Sequence, residues 1–176
     1  HHYRIAQSKE EIQTLVSLLE NADQFCFDTE TTGLDANNCD LVGMSFSLKE
    51  GEAWYVPVPL IKEEALQLTG QFKPLLENER IAKIGQNIKF DMLVLRWYDI
   101  RVQGALKDTM LMHYILEPEQ RHNMNILAET YLGYTPVSIE ELIGKKENRQ
   151  GSMDQVPLEK IAEYAGEDAD ITLQLY

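Results

Sequence analysis

The sequence has 176 residues, and 44% of them are hydrophobic, which suits one folded domain with a sizeable core and excludes a disordered chain. Because no apolar run reaches the roughly 18 residues that span a bilayer, we predict no membrane partner. The formal net charge of −13 argues against a protein that holds a long nucleic acid on its own basic surface. That charge remains compatible with a site that meets phosphate groups through metal ions, beside a basic partner or neighbouring domain.

The two ends of the chain lead to separate expectations. We interpret His1-His2 as a tag remnant and expect residues 3–176 to form a single domain. Since the last predicted helix reaches Tyr176 without a Gly or Pro stop signal, we expect this domain to be excised from a longer chain. Only two cysteines occur, Cys26 and Cys39, and we predict that both are free thiols in a reducing cytoplasm.

The first half of the chain alternates between predicted strands and helices. Ser8 and Glu11 have the spacing of a capping box, and apolar residues recur behind them at helical spacing, so a helix is predicted to about Asn21. Predicted strands cover residues 3–7, 24–30, 41–48, 53–58 and 80–85, with a hairpin turn at 49–52. A helix is predicted over 63–77, kinked or divided at Pro74.

The second half has a mostly helical pattern. Predicted helices cover residues 88–97, 109–116, 124–132 and a last helix that begins at Pro157, while the polar residues 144–151 are predicted to be a loop. We also predict that Trp54 and Trp97 lie in the core. A hairpin followed by alternating helices and strands predicts an α/β domain, whose mixed central sheet combines hairpin and parallel strands between helices on both faces.

The most informative feature is Asp28-Thr29-Glu30, which ends the apolar run that begins at Gln24. Because side chains alternate along a strand, Asp28 and Glu30 are expected to point to the same side. Two carboxylates so close at the rim of a hydrophobic sheet would repel each other at neutral pH. A divalent metal ion between them is the simplest explanation.

Two further segments place acidic residues in apolar surroundings. Asn87 and Asp91 are four residues apart and share a face of a predicted helix, and so do Tyr164 and Asp168. Two Mg²⁺ ions about 3.5–4 Å apart can activate a water, neutralise a phosphate and stabilise the leaving oxygen of a phosphodiester. Carboxylates from one strand and two helices are suited to hold such ions, and a tyrosine could hold the attacking water.

Each segment taken alone also has an ordinary structural explanation. Asp28 and Glu30 could belong to a strand that simply enters a loop. Asn87 could be a helix N-cap followed by a solvated face, and Tyr164 with Asp168 could be a half-buried tyrosine beside a surface acid. The conjunction of all three segments, in this order and local structure, favours the shared site.

The three segments together resemble the 3′–5′ exonuclease domain of the family A DNA polymerases, the DNA polymerase I type. The residues that carry the resemblance are 27–31 with 34–35, 85–91 and 164–175, and the connecting segments 108–111, 114–116 and 122–129 are similar as well. The family is part of the DEDD exonucleases, so the resemblance implies a ribonuclease H-like fold. Tyr164, together with Glu163 where another branch has histidine, is similar to the tyrosine branch.

The resemblance implies a role for each of the five site residues. Asp28 is the ligand that two metal ions share, and Glu30 and Asp168 join it on the ion that activates water. Asp91 supports the second ion through water, and Tyr164 orients the nucleophile. The implied ions are Mg²⁺ or Mn²⁺, with Zn²⁺ as an option at one site.

The resemblance also implies contacts with the substrate strand. Leu34 is expected to wedge against the terminal bases, Ile139 to lie against the strand, Thr31 to donate to the terminal nucleotide, and Asn87 to contact the strand or fix the second motif. Lys145, Lys146 and Arg149 are either phosphate contacts or part of a solvated loop. Asp108 is expected to cap a helix, Asp170 to lie outside the ligand set, and His113 and His122 to be structural.

The implied function is proofreading: metal-dependent hydrolysis at single-stranded DNA 3′ ends, which releases 5′-nucleoside monophosphates. The implied partners are the DNA end and a polymerase domain of the same full-length chain. We expect a monomeric fragment of a bacterial cytoplasmic, nucleoid-associated protein. Two alternatives stay open: a stand-alone ribonuclease D-like enzyme that trims RNA, and a non-catalytic structural module of the polymerase.

Overall fold

One six-stranded mixed sheet forms the centre of the molecule in a computed structural model that describes residues 1–144 and 151–176. The strands are β1 (His2–Ile5), β2 (Gln24–Thr31), β3 (Leu41–Lys49), β4 (Glu52–Pro57), β5 (Ala82–Gly85) and β6 (Leu106–Asp108). Their order is β1-β4-β3-β2-β5-β6. Strand β3 runs antiparallel to β2 and β4, and the other neighbours are parallel. The predicted mixed sheet is therefore confirmed.

Helices connect the strands and cover the sheet. They are α1 (Lys9–Glu20), α2 (Lys62–Thr69), α3 (Lys73–Leu76), α4 (Ile88–Arg96), α5 (Thr109–Leu116), α6 (Met124–Leu127), α7 (Ile139–Ile143) and α8 (Leu158–Leu175). A π-helical turn over Ala128–Leu132 extends α6, and a short 3₁₀ turn covers Met153–Gln155. Helix α8 packs across five strands of the sheet and is the longest helix among the described residues.

Strand β2 separates the two cores of the domain because its side chains alternate. Phe25 and Phe27 enter the larger core, which also contains buried residues of α1, α3 and α4. Cys26, Asp28 and Glu30 belong to the opposite side, where α8 packs. The smaller core there includes Val42, Tyr55, Met153, Ile161, Ala162 and Ala165. The apolar residues of β2 thus fix the strand while its carboxylates face α8.

Local sequence signals predicted several elements correctly. The capping box of Ser8 and Glu11 is present at the start of α1. Pro74 lies in the first turn of α3, so the predicted helix over 63–77 is divided. Gly51, with φ of 77°, completes the hairpin turn between β3 and β4, a conformation that glycine adopts without strain. Helix α8 begins at Leu158, with Pro157 in the capping position just before it.

One prediction about the core was wrong, and one strand at the sheet edge was not predicted. Trp97 follows α4 and is 56% exposed, whereas Trp54 packs half-buried against the larger core. Strand β6 was not predicted, because three residues at the edge of a sheet are too few for a recognisable alternation. Tertiary pairing with β5, rather than local pattern, makes Leu106–Asp108 a strand.

The remaining expectations about the chain as a whole have mixed outcomes. His2, interpreted as part of a tag remnant, begins β1, and its amide donates to the Gly51 carbonyl at 2.6 Å. Both cysteines are free thiols. Among the helices described, none combines the length and the apolar character required to cross a bilayer. Lys145, Lys146 and Arg149 lie outside the described residues.

Candidate active site

The carboxyl end of β2 delivers Asp28 and Glu30 to the α8 side of the sheet. A β-bulge follows at once: Glu30 pairs with Gly43 and Thr31 with Leu41, which leaves Val42 as an extra residue on β3. The Tyr55 ring lies across Gly43, where an added Cβ would be only 2.1 Å from the Tyr55 hydroxyl. Gly43 is therefore required for the close packing of strand and ring beside Glu30.

Helix α8 brings Asp168 to the same place because small residues let the helix approach the sheet closely. Ala165 and Ala169 are fully buried, and a Cβ on Gly166 would be 3.0 Å from Cγ of Tyr3. As a result, carboxylate oxygens of Asp28, Glu30 and Asp168 all lie within 4.8 Å of one another. We call these three residues the acidic cluster.

Asp91 reaches the end of β2 from the opposite face of the sheet, where the other side chains of α4 enter the larger core. Its Oδ1 accepts a hydrogen bond from the Thr29 amide at 3.0 Å and one from the Thr29 hydroxyl at 2.5 Å. Asp91 is buried but does not belong to the acidic cluster. The structure thus brings three of the four predicted carboxylates tightly together, with the fourth beside them.

Burial strongly disfavours the charged forms of these acids. It raises the pKa of Asp28 to about 7, and it raises the pKa values of Glu30, Asp91 and Asp168 well above the ordinary range. The negative charge of Asp28 adds to the rise at each of the other three. Hydrogen bonds from Thr29 lower the pKa of Asp91 in part. A bound cation would reverse this balance and favour the ionised carboxylates.

The acidic cluster has the chemistry of a divalent-cation site. All its donor atoms are carboxylate oxygens, which are the ligands that hard cations such as Mg²⁺ and Mn²⁺ select. Moreover, Oδ1 of Asp168 is buried and has no hydrogen-bond partner among the described residues. A buried carboxylate oxygen without a partner is costly unless a cation binds it, so these residues fit a metal ion.

Tyr164 lies one helical turn before Asp168 and lines the cavity next to the acidic cluster. Burial raises its pKa, and the charges of Asp168, Glu30 and Asp28 raise the pKa further. The phenol is therefore protonated at neutral pH. It can donate one hydrogen bond towards the cluster, where a water or a phosphate oxygen would lie.

The acidic cluster forms one side of an open cavity of about 400 Å³. Three of the predicted substrate contacts, Thr31, Leu34 and Ile139, line this cavity. Leu34 is 82% exposed at its edge, and the Thr31 hydroxyl donates to the Gly33 carbonyl at 2.7 Å. A 3′-terminal nucleotide would find both polar groups and apolar walls here.

Asn87 is not among the residues that line the cavity. It occupies the N-cap position of α4 with left-handed backbone angles (φ 57°) but makes no side-chain capping bond, and its buried Oδ1 has no partner among the described residues. The backbone amide of Asn87 donates to Oδ1 of Asp108 at 3.0 Å. Of the two roles expected for Asn87, this geometry favours the second, in which it fixes the second motif rather than contacting the strand directly.

Sequence reasoning missed other residues that line the cavity. Phe90 precedes Asp91 within the second motif, so its position in the motif was a usable signal. Ser152 and Met153 follow the polar stretch that we predicted to be a loop, and no local pattern marked them. They reach the cavity because the 3₁₀ turn at Met153 packs against β2 and the smaller core.

The residues expected to be structural do occupy supporting positions. Asp108 caps α5, as predicted, by accepting bonds from Met110 and Leu111. Asp170 is buried and accepts from the Tyr3 hydroxyl at 2.8 Å and from the Gly51 amide at 2.9 Å. The Nδ1 atoms of His113 and His122 are 2.7 Å apart, so these two rings hydrogen-bond each other.

Solved nucleases share this fold. Trypanosoma brucei RNase D superposes with a TM-score of 0.76 at 16% identity, covering 99% of this chain and 63% of that one. The EXO domain of Aedes aegypti Nibbler gives 0.74 at 14% identity, covering 100% and 85%. At such identities the likeness shows the fold alone, which is the ribonuclease H-like fold of 3′–5′ exonuclease domains.

Sequence relatives then narrow the class to a family. A family model described as 3′-5′ exonuclease matches residues 3–176, and the chain belongs to this family. DNA polymerase I of Pseudomonas aeruginosa is 42% identical over 170 residues, which cover 90% of this chain and 18% of that protein. DNA polymerase I of Chloroflexus aurantiacus is 38% identical, covering 92% and 17%. The predicted resemblance to the DNA polymerase I type is confirmed, and the chain spans about a fifth of these relatives.

Proposed function

We propose that this domain hydrolyses the terminal phosphodiester at single-stranded DNA 3′ ends and releases 5′-nucleoside monophosphates, as the proofreading activity of a DNA polymerase I. The observation that carries the proposal is the convergence of Asp28, Glu30 and Asp168 within 4.8 Å beside a cavity open to a strand end. Membership of the 3′–5′ exonuclease family agrees with it.

Asp28, Glu30 and Asp168 would hold one divalent cation, and Asp28 with Asp91 would support a second one through water. The proposed ions are Mg²⁺ or Mn²⁺, with Zn²⁺ as an option at one site. When bound, such ions neutralise phosphate charge and lower the pKa of a coordinated water. Without a cation, four neighbouring acids have raised pKa values, and cation binding would relieve this unfavourable state.

The other residues of the cavity bind and orient the substrate. The protonated Tyr164 hydroxyl donates to the nucleophilic water, and Glu30 helps to hold that water in line. Leu34 contacts the terminal base from the open edge, and Ile139 contacts the strand from α7. Thr31 lines the same cavity, and its hydroxyl would donate to the terminal nucleotide in place of its bond to the Gly33 carbonyl. Such fixed positions would supply much of the rate by orientation.

The charge and size of the domain point to a larger working unit. With a net charge of −13, the whole chain is unsuited to hold a long DNA track, which requires clustered basic residues. We therefore propose a polymerase domain of the same polypeptide as the main partner, since the relatives are about five times longer. Within that unit the domain acts as a monomer in the bacterial cytoplasm beside the nucleoid.

The decisive experiment is an assay with 3′-labelled single-stranded DNA in Mg²⁺ or Mn²⁺, with analysis of the released product. We expect 5′-monophosphates from the wild type and almost none from Asp28→Ala, because the shared ligand is lost. Asp23→Ala is a matched control, since Asp23 is an exposed acid at the opposite end of β2. A folded wild type that releases no monophosphate would contradict the proposal.

Ribonuclease D-like RNA trimming is the second candidate, and the similarity to Trypanosoma brucei RNase D favours it. DNA and RNA oligonucleotides of equal length and sequence separate the two candidates. We expect the larger kcat/KM for DNA, and a clear preference for RNA would select the alternative. Calorimetric titration with Mn²⁺ addresses the third candidate, because a non-catalytic module need not bind the ion.

A further inference from the structure

Glu167 is a buried carboxylate next to the acidic cluster that takes no part in it. Its side chain is only 4% exposed, although it precedes Asp168 directly on α8. Oε1 accepts a hydrogen bond from the Tyr134 hydroxyl at 2.5 Å, and Oε2 accepts one from the Val137 amide at 2.7 Å. Both bonds lead to the segment that connects Gly133 to α7.

That segment carries a wall of the cavity. Ser138 caps α7 directly after Val137, and Ile139 and Ile143 of α7 line the cavity. None of the five residues of α7 is fully buried, although Leu142 and Ile143 pack partly against the smaller core. Core packing thus holds α7 only weakly, and the two hydrogen bonds to Glu167 attach the residues just before α7 to α8.

We propose that Glu167 is a positioning residue that fixes α7, and with it the Ile139 wall, at the distance from the acidic cluster that a DNA strand requires. This inference rests on the proposed function and assigns α8 two separate tasks. Asp168 faces the cluster, while its neighbour Glu167 holds the wall. Glu167 thereby affects how tightly the strand binds, while other residues carry out the chemistry at the terminal phosphodiester.

Two substitutions separate hydrogen bonding from charge. Glu167→Gln keeps the shape and can keep both bonds, since its amide oxygen accepts from Val137 and its NH₂ donates to the Tyr134 hydroxyl oxygen. Glu167→Ala removes both bonds and leaves the Val137 amide without its partner. Glu163→Ala is the matched control, because Glu163 lies one turn earlier on α8 with a side chain that is 66% exposed.

The test compares an oligonucleotide with a single-nucleotide ester, which offers α7 much less of a strand to contact. The full 176-residue chain is assayed with single-stranded DNA and with the single-nucleotide ester thymidine 5′-(p-nitrophenyl phosphate), in Mg²⁺ or Mn²⁺. We expect Glu167→Ala to raise the KM for DNA about 10-fold to 100-fold, the scale of a misplaced binding wall. Its kcat/KM for the ester should stay within about twofold of the wild type, and Glu167→Gln and Glu163→Ala should match the wild type on both substrates.

Several results would overturn the proposal. Equal losses on both substrates would mean that Glu167 acts through Asp168, and an unchanged KM for DNA would mean a merely structural role. Losses in Glu167→Gln as large as in Glu167→Ala would implicate charge instead of the bonds. If Glu167→Ala does not fold, Tyr134→Phe removes one bond alone and should give a smaller rise in KM. A wild type inactive on both substrates would instead defeat the proposed function.

Discussion

Thr29 donates two hydrogen bonds to a single carboxylate oxygen of Asp91, one from its amide and one from its hydroxyl. It lies between Asp28 and Glu30 in the sequence but points to the opposite face of the sheet. The three consecutive residues therefore do two things. The outer two contribute to the acidic cluster, and the middle one ties β2 to α4 through Asp91.

Thr29→Val should destabilise the domain and weaken metal binding. It keeps the shape and the amide bond but removes the hydroxyl, so the buried Asp91 loses a hydrogen bond that lowers its pKa. We expect a loss of about 1–3 kcal/mol in the free energy of unfolding, measured in urea, and weaker Mn²⁺ affinity by calorimetry. Thr29→Ser retains the hydroxyl and is the control; equal losses in both variants would argue against the hydrogen bond.

The metal-free domain should lose stability as the pH rises from about 4 to about 7. Burial raises the pKa of Asp28 to about 7, so the folded state binds this proton more tightly than the unfolded chain does. Deprotonation therefore favours unfolding, by at most about 1.4 kcal/mol per pH unit for this one group. This loss of stability is absent below the pKa of Asp28 in the unfolded chain. It grows as the pH rises to the pKa in the folded state and is constant above that value.

Unfolding curves in EDTA at several pH values, for wild type and Asp28→Asn, test this expectation. The variant should show a flatter pH profile and, at pH 8, should be more stable than the metal-free wild type because the buried charge is gone. Mn²⁺ should stabilise the protein because it binds the folded state alone. It should stabilise the wild type more than the variant, since the variant lacks the Asp28 carboxylate. Parallel pH profiles for the two proteins would show that Asp28 is not the group responsible.

Tyr164→Phe should lower kcat by about 10-fold to 100-fold, a smaller loss than that of Asp28→Ala. The substitution removes one hydrogen-bond donor and leaves the carboxylates intact. Since burial and nearby negative charge raise the pKa of Tyr164, its hydroxyl should add no titration to the rate profile in alkaline buffers. Single-turnover rates for the two variants on one oligonucleotide provide the measurement, and equal losses would show that Tyr164 does more than orient water.

Asp108→Ala should be among the more damaging substitutions outside the cavity. One side chain caps two helices: besides α5, it accepts from the Asn87 amide at 3.0 Å and from the Ile88 amide at 2.9 Å at the start of α4. Since each of the two caps is worth roughly 0.5–2 kcal/mol, we expect a loss of about 1–4 kcal/mol in urea unfolding. Asp108→Asn keeps the acceptor Oδ1 but not Oδ2, which accepts from Ile88. Its loss in the free energy of unfolding should therefore be smaller and should arise mainly from the cap of α4.

Much of the candidate site could be predicted from local patterns in the sequence. Alternation along β2 placed Asp28 and Glu30 on one side, and the four-residue spacing placed Tyr164 and Asp168 on one helix face. Both are consequences of backbone geometry, which repeats over a few residues. The capping residues Ser8 and Asp108 were recognisable for the same reason.

Relationships between distant segments could not be predicted in this way. No short-range pattern showed that Thr29 would bind Asp91, that Asp108 would cap α4 as well as α5, or that Glu167 would hold the segment before α7. Trp97 was wrongly assigned to the core because its size suggested burial, whereas its position just after α4 leaves it exposed.

The sequence by itself determined the secondary structure around each motif, the acidic character of the site and the family. Only the tertiary structure decided which carboxylates converge, which one is held apart by Thr29, and which residues form the wall opposite them. The physical reason is the distance along the chain over which each effect acts. Backbone periodicity and capping act over one or two turns, whereas distances between β2, α4 and α8 depend on how closely small residues such as Gly43 and Gly166 let these elements pack.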